Sequence, residues 1–213
     1  MFESKAGIFG IAGLGFFAFA FISNALVPIW MYKELPEQTV EEVVNARVLS
    51  SFGDLKQRYP EQFDKYFDAV DVDNCAEALR LGRQVYIGEG CWHCHSQFVR
   101  PVSNESRRFG PVSETWEYQN ALQRPVMFGT RRVGPDLSRE GGRRGSDWHA
   151  VHFFEPKIVS TDSPMPSYPW FFEGSPDKPN KRGLAMIIYI QWLGSWLDEY
   201  PYYEQLEADQ EEL

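Results

Sequence analysis

Cys91-Trp92-His93-Cys94-His95 constrains this chain more than any other stretch. Two thiols three positions apart fit on one helical turn, and a histidine follows at once. The surrounding fold must therefore close around whatever they hold. The C-x-x-C-H spacing is the one at which two cysteines bond covalently to the vinyl groups of a haem and the next histidine ligates its iron. C-x-x-C also serves zinc sites and redox dithiols, so the rest of the chain has to decide between them.

The 213 residues have room for one domain and an appendage, or for two small domains. A hydrophobic content of 43% supports a real core, and a net charge of -9 argues against nucleic acid as a partner. The third cysteine, Cys75, has no partner left for a disulfide framework and reads as a buried or half-buried free thiol. Haem is attached to such motifs on the oxidising side of a membrane, so the motif itself demands an export route. Ile8 to Met31 supplies one: 24 residues interrupted only by Ser23 and Asn24, where about 20 suffice to cross a bilayer as a helix. A cleaved signal peptide ending near Ser23-Asn24-Ala25 is one reading. An uncleaved anchor explains better why the apolar run continues through Leu26 to Met31, with Trp30 and Tyr32 placed for a membrane interface.

Residues 1–33 thus read as an anchor, and 34–72 as an acidic, partly helical connector. In the connector Thr39-Val40-Glu41-Glu42 forms a capping-box pattern, Val40, Val43, Val44 and Val48 recur at helical spacing, and a second helix falls near Gln62–Phe67. Residues 73–198 form the haem domain. It opens with a helix from about Asp73 to Gly88, capped by Asp73 or Asn74, that leads directly into Cys91. Residues 96–148, rich in Arg, Gly and Pro, read as loops. Asp147–Phe154 reads as a short helix ending before Pro156, and Arg182–Leu197 as an apolar helix. Residues 199–213 form an acidic tail. The fold class is all-α: one transmembrane helix and a helical domain with long loops.

A haem that only transfers electrons needs a sixth ligand opposite His95. Met165, in the Pro-stiffened Ser163-Pro164-Met165-Pro166, is the best-placed candidate. Met127, His149 and His152 are the others, while Met186 lies in an apolar helix and reads as core. A rival from another class is a structural zinc site of Cys91, Cys94, His149 and His152, although H-x-x-H is shorter than the usual histidine spacing.

Residues 73–197 resemble a class I cytochrome c domain. Gly82 and Tyr86 match that family's G-x-x-x-aromatic helix, which crosses a C-terminal helix whose aromatic would be Tyr189. Gly134-Pro135-Asp136-Leu137 resembles its G-P-[ND]-L segment, in which the proline carbonyl accepts the proton of the ligand histidine. Gly90 to Pro101, Gly141-Gly142-Arg143, Asp147-Trp148-His149 and Met165 to Trp170 then follow in the order seen in the membrane-anchored monohaem subunit (subunit II) of cbb3-type cytochrome c oxidases, which the chain is similar to.

That resemblance implies one covalent haem c on Cys91 and Cys94, with His95 and Met165 as axial ligands and Pro135 steering His95. Trp92, Phe98, Tyr168 and Trp170 would be pocket walls, and Arg100, Arg131 and Arg132 partners for the haem carboxylates or a docking surface. It implies a non-catalytic electron-transfer subunit of a respiratory chain, working with a donor cytochrome c, further cytochrome c subunits and a haem–copper subunit that reduces O₂. The place implied is the bacterial inner membrane, with the N-terminus cytoplasmic and the haem domain periplasmic. The small subunit of a nitric oxide reductase and a free-standing anchored carrier are the alternatives.

Overall fold

The computed structural model describes residues 4–197, which fall into two units that divide after Glu37. The first is a single helix, α1 (Lys5–Tyr32), long and apolar enough to cross a membrane and with none of its span buried. Ser4 caps it, its hydroxyl accepting from the amide of Gly7 at 3.0 Å. Pro28 has no N–H to give the carbonyl one turn back at Asn24, and the helix widens into a π turn over Ile22–Leu26. Inside that turn Asn24 Nδ2 donates to the carbonyl of Ala20 at 2.9 Å, so the polar side chain is satisfied within its own helix.

The second unit holds seven further α-helices among the described residues: α2 (Ala46–Arg58), α3 (Pro60–Tyr66), α4 (Val72–Gly88), α5 (Cys91–Cys94), α6 (Glu105–Phe109), α7 (Ser146–Phe154) and α8 (Lys181–Trp192). Short 3₁₀ turns cover Thr115–Tyr118, Pro156–Ile158 and Pro169–Phe171. The all-α expectation holds. The described residues contain no strands, only two isolated bridges, Gln38 to Asn120 and Phe172 to Pro179.

The central pair is α4 on α8. Helix α4 begins where Asp71 accepts from the amide of Asn74 at 2.9 Å, two residues before the earlier of the two expected caps. Its inner face buries Ala78, Leu79, Gly82 and Tyr86. At Gly82 the two backbones nearly touch: a Cβ there would lie 2.3 Å from the carbonyl oxygen of Ala185 and 2.5 Å from Tyr189 Cβ. Only glycine fits such a crossing. Tyr86 and Tyr189 then meet one turn on, their ring centroids 5.6 Å apart.

The stretch that reads as a connector contributes to this same core. Thr39 and Glu42 do exchange capping hydrogen bonds, but the chain turns after them. The helix starts only at Asn45, whose Oδ1 accepts from the amide of Val48 at 3.1 Å. From there Val48, Phe52 and Leu55 repeat at helical spacing, all fully buried, and Pro60 starts α3 on a new axis. Phe52, Phe63 and Phe67 close into a triangle with centroids 4.8–5.4 Å apart. Acidic residues occupy the outer face, so charge count hid an apolar stripe.

At the other end α8 stops at Trp192, short of the expected Leu197. The carbonyl of Leu193 turns out of the helix to accept from the amide of Gly141 at 2.7 Å. The acidic tail lies outside the described residues.

Candidate functional site

Helices α4, α5, α7 and α8, with the loops at 133–137 and 159–168, enclose a cavity of about 570 Å³. That is the size of a small-molecule or cofactor site. Cys91, Cys94, His95, Pro135, Met165 and Tyr168 all line it.

His95 is set by a chain of local bonds. Its backbone amide donates to the carbonyl of Cys91 at 2.9 Å, ending the single turn of α5, and its own carbonyl accepts from Tyr86 Oη at 2.7 Å. The ring's Nδ1 lies 2.9 Å from the carbonyl oxygen of Pro135. A carbonyl only accepts, so Nδ1 carries the proton and Nε2 keeps its lone pair. Burial pushes the His95 pKa down, which favours the neutral ring. Gly134 presses against the same ring, where a Cβ would lie 2.2 Å from Cε1. Gly134→Ala is therefore expected to rotate or displace His95 with little change in overall helicity. The check is a ligand-field spectrum of the haem-loaded variant beside its circular dichroism; a wild-type spectrum would contradict it.

The Pro135 carbonyl is held in turn by Asp136, a fully buried carboxylate. It accepts from Ser96 Oγ at 2.6 Å, from the amide of Phe98 at 2.9 Å and from the amide of Ser138 at 2.8 Å. Arg132 joins it, donating from Nε to Ser96 Oγ at 2.6 Å and pairing with Glu105 at 2.5 Å. Asp136 was visible in the sequence as one letter of a motif; its role in joining two loops was not.

Met165 is half-buried in its Pro-framed loop. Its amide donates to Ser163 Oγ at 3.3 Å, and the loop is tied down by Ser167 Oγ to Glu155 at 2.8 Å and the Tyr168 amide to the carbonyl of Phe153 at 2.8 Å. Met127 is buried elsewhere, its carbonyl accepting from the Gln97 amide at 2.7 Å, and it does not line the cavity. Met186 is core, as expected, and also forms part of the cavity wall. His149 and His152 line the cavity from α7. Burial lowers their pKa values to about 3 and about 4, so both rings are neutral near pH 7.

Several expected pocket residues stand elsewhere. Arg100 is outside the cavity, bonded to Glu105 and the Phe128 carbonyl. Arg132 belongs to the Asp136 network, and Arg131 does not line the cavity. Trp92 stacks on His93 at 3.9 Å, Phe98 packs edge-on against Phe128, and Trp170 is half exposed with its indole N–H donated to Glu89. Of the four aromatics only Tyr168 lines the cavity. The arginines that do line it are Arg143 and Arg144, with the buried Glu140. No spacing in the sequence distinguishes them from the other seven arginines of residues 100–144. Cys75 is fully buried in α4, away from the cavity, its thiol pushed up to about 12 by burial, and is chemically inert there.

The zinc reading is not supported. Among the described residues no group of three or more His, Cys, Asp or Glu side chains is arranged to hold a metal ion. The donor set suits haem c instead: two thiols on one turn, a neutral imidazole with Nδ1 engaged, and a thioether, around a largely apolar chamber.

A helical domain with that chamber suits the class of c-type cytochromes, binders of haem c. Residues 35–184 match the family described as cytochrome c oxidase, mono-heme subunit/FixO, and the chain belongs to that family. It is a monohaem cytochrome c subunit of a cbb3-type oxidase, a component of respiratory electron transport, and α1 fits a membrane anchor for it. The family also decides against a nitric oxide reductase. A search of curated proteins returned no match.

Proposed function

We propose that the chain carries one covalent haem c and relays single electrons from a donor cytochrome c towards the haem–copper subunit of the oxidase, where O₂ is reduced. Bound haem c supplies a one-electron iron couple. Cys91 and Cys94 would hold it as thioethers, and His95 Nε2 and the Met165 thioether would ligate its iron. Pro135 orients the imidazole, and a hydrogen bond of this kind makes the ring a better ligand. Tyr168 and Phe153 help to keep water out. The chain itself contributes no catalytic acid or base and acts beside further cytochrome c subunits. Helix α1 anchors it in the bacterial inner membrane, the N-terminus cytoplasmic and the haem domain periplasmic, where haem c is attached. The observation that carries this reading is the His95 Nδ1 to Pro135 carbonyl bond beside a cavity shared with Cys91, Cys94 and Met165.

The test is isolation of the native complex, with haem typing and mass measurement of each subunit. The expected result is one haem mass on this chain and co-purification with a haem–copper subunit. Absence of a haem-linked mass sinks the reading, and recovery of this chain alone under several mild detergents sinks the oxidase relay. Met165→Leu is expected to retain covalent haem but become high-spin and open to carbon monoxide. An unchanged low-spin spectrum would move the sixth ligand to His149 or His152.

A further inference from the structure

His149 Nε2 and His152 Nδ1 are buried without any hydrogen-bond partner. Such nitrogens are costly and call for an explanation, usually a missing water, ion or ligand. The two residues are three apart on α7, hence on one face, and both line the cavity. His149 is only 2% exposed. Arg143 and Arg144 line the same cavity, each with a side-chain nitrogen 3.6 Å from a carboxylate oxygen of Glu140. Arg144 is steadied by Trp148, its guanidinium 4.1 Å from the ring centre. The α7 end of a mainly apolar chamber thus gathers two orphan nitrogens and two guanidinium groups.

Haem is an apolar disc whose ionised groups are two carboxylates. From this juxtaposition we infer that the α7 end of the cavity is the carboxylate end: His149 and His152 donate to the haem carboxylates, and Arg143 and Arg144 supply the compensating charge. Carboxylates accept only, so the orphan nitrogens are the protonated ones in the loaded protein. Burying the carboxylates against these donors stabilises their charge and leaves less of it to favour ferric iron. The inference rests on haem c filling the cavity.

The experiment uses the full chain in its complex, loaded with haem carrying ¹³C-labelled carboxyl groups. Haem-linked mass is measured first, and its absence from the wild type refutes the proposed function rather than this inference. His149→Leu and His152→Leu are then compared with wild type by infrared redox-difference spectra and potentiometry. Both should keep a low-spin haem, shift the labelled carboxylate bands, and move the equilibrium with a mediator about three- to tenfold towards the ferric form. Tenfold corresponds to about 59 mV for one electron. His149→Gln, which keeps an N–H, should restore part of the band position. Unshifted carboxylate bands in both leucine variants overturn the inference, and so does loss of the low-spin spectrum in either, which would put that histidine on the iron. If His149→Leu does not fold, His152→Leu and Arg144→Gln apply the same criteria.

Discussion

Replacing Gly82 with valine is expected to abolish the fold of the haem domain, and Gly82→Ala to lower its melting temperature by about 6–12 °C. The added carbon meets a backbone carbonyl 2.3 Å away, that of Ala185, rather than the flexible end of a side chain. Relief requires α4 and α8 to separate. Overpacking a core costs about 1–3 kcal/mol when side chains can give way, and here the obstacle is a helix backbone, so alanine should fall at or beyond the upper end. A loss of about 3 kcal/mol corresponds to the stated shift for a domain of this size. Valine adds two more methyl groups to a crossing that also positions Tyr86, and through it the His95 carbonyl. Thermal unfolding followed by far-ultraviolet circular dichroism reads the effect. A Gly82→Val protein melting with the wild type would show that the helices do not cross there.

The second large effect lies in a buried ion pair. Arg139 and Glu117 are 1% and 2% exposed at their side chains and 2.8 Å apart. Glu117 also accepts from the indole of Trp196 at 2.7 Å and from the amide of Glu114 at 2.8 Å. Removing one partner strands the other charge in the core, which costs about 3–5 kcal/mol. Arg139→Met and Glu117→Leu should therefore each lower the melting temperature by about 6–20 °C. The double variant strands no charge and should recover a substantial part of the loss, though not all, because Trp196 and Glu114 lose an acceptor. A double variant as unstable as the sum of the singles would mean that the pair is not coupled as the geometry requires.

Much of this protein is legible in its sequence where the information is local. The membrane-length helix, the turn bearing Cys91 and Cys94, the start of α7 and the stop of α4 at Gly88 all follow from composition, spacing or capping over a few residues. Structure and expectation part where two local signals compete. Thr39 and Asn45 are both good caps, and the helix starts at the second, where Asn45 Oδ1 accepts from the Val48 amide and Val48, Phe52 and Leu55 are buried. The apolar stretch after Trp192 could have continued as helix, yet Leu193 gives its carbonyl to Gly141, 52 residues earlier.

Cys91, Cys94, His95 and Met165 stand out in the sequence because covalent and ligand chemistry restrict residue type and spacing, and the structure brings all four to one cavity. The walls of the cavity do not stand out. Nine arginines between residues 100 and 144 look alike in sequence, yet packing sends Arg132 into a hydrogen-bond network with Asp136, Arg139 to Glu117, and Arg143 and Arg144 to the cavity. A guanidinium is long and indifferent to local backbone; its place depends on which distant carboxylate or carbonyl the fold brings near. The chain alone therefore determined a helix of membrane length, a helical class and the turn that carries Cys91 and Cys94, since these are properties of neighbours along the backbone. Only the tertiary structure decided that the acidic stretch before α4 is part of the core, and that α7 turns two unpaired histidines toward the site, because both depend on burial among residues far apart in sequence.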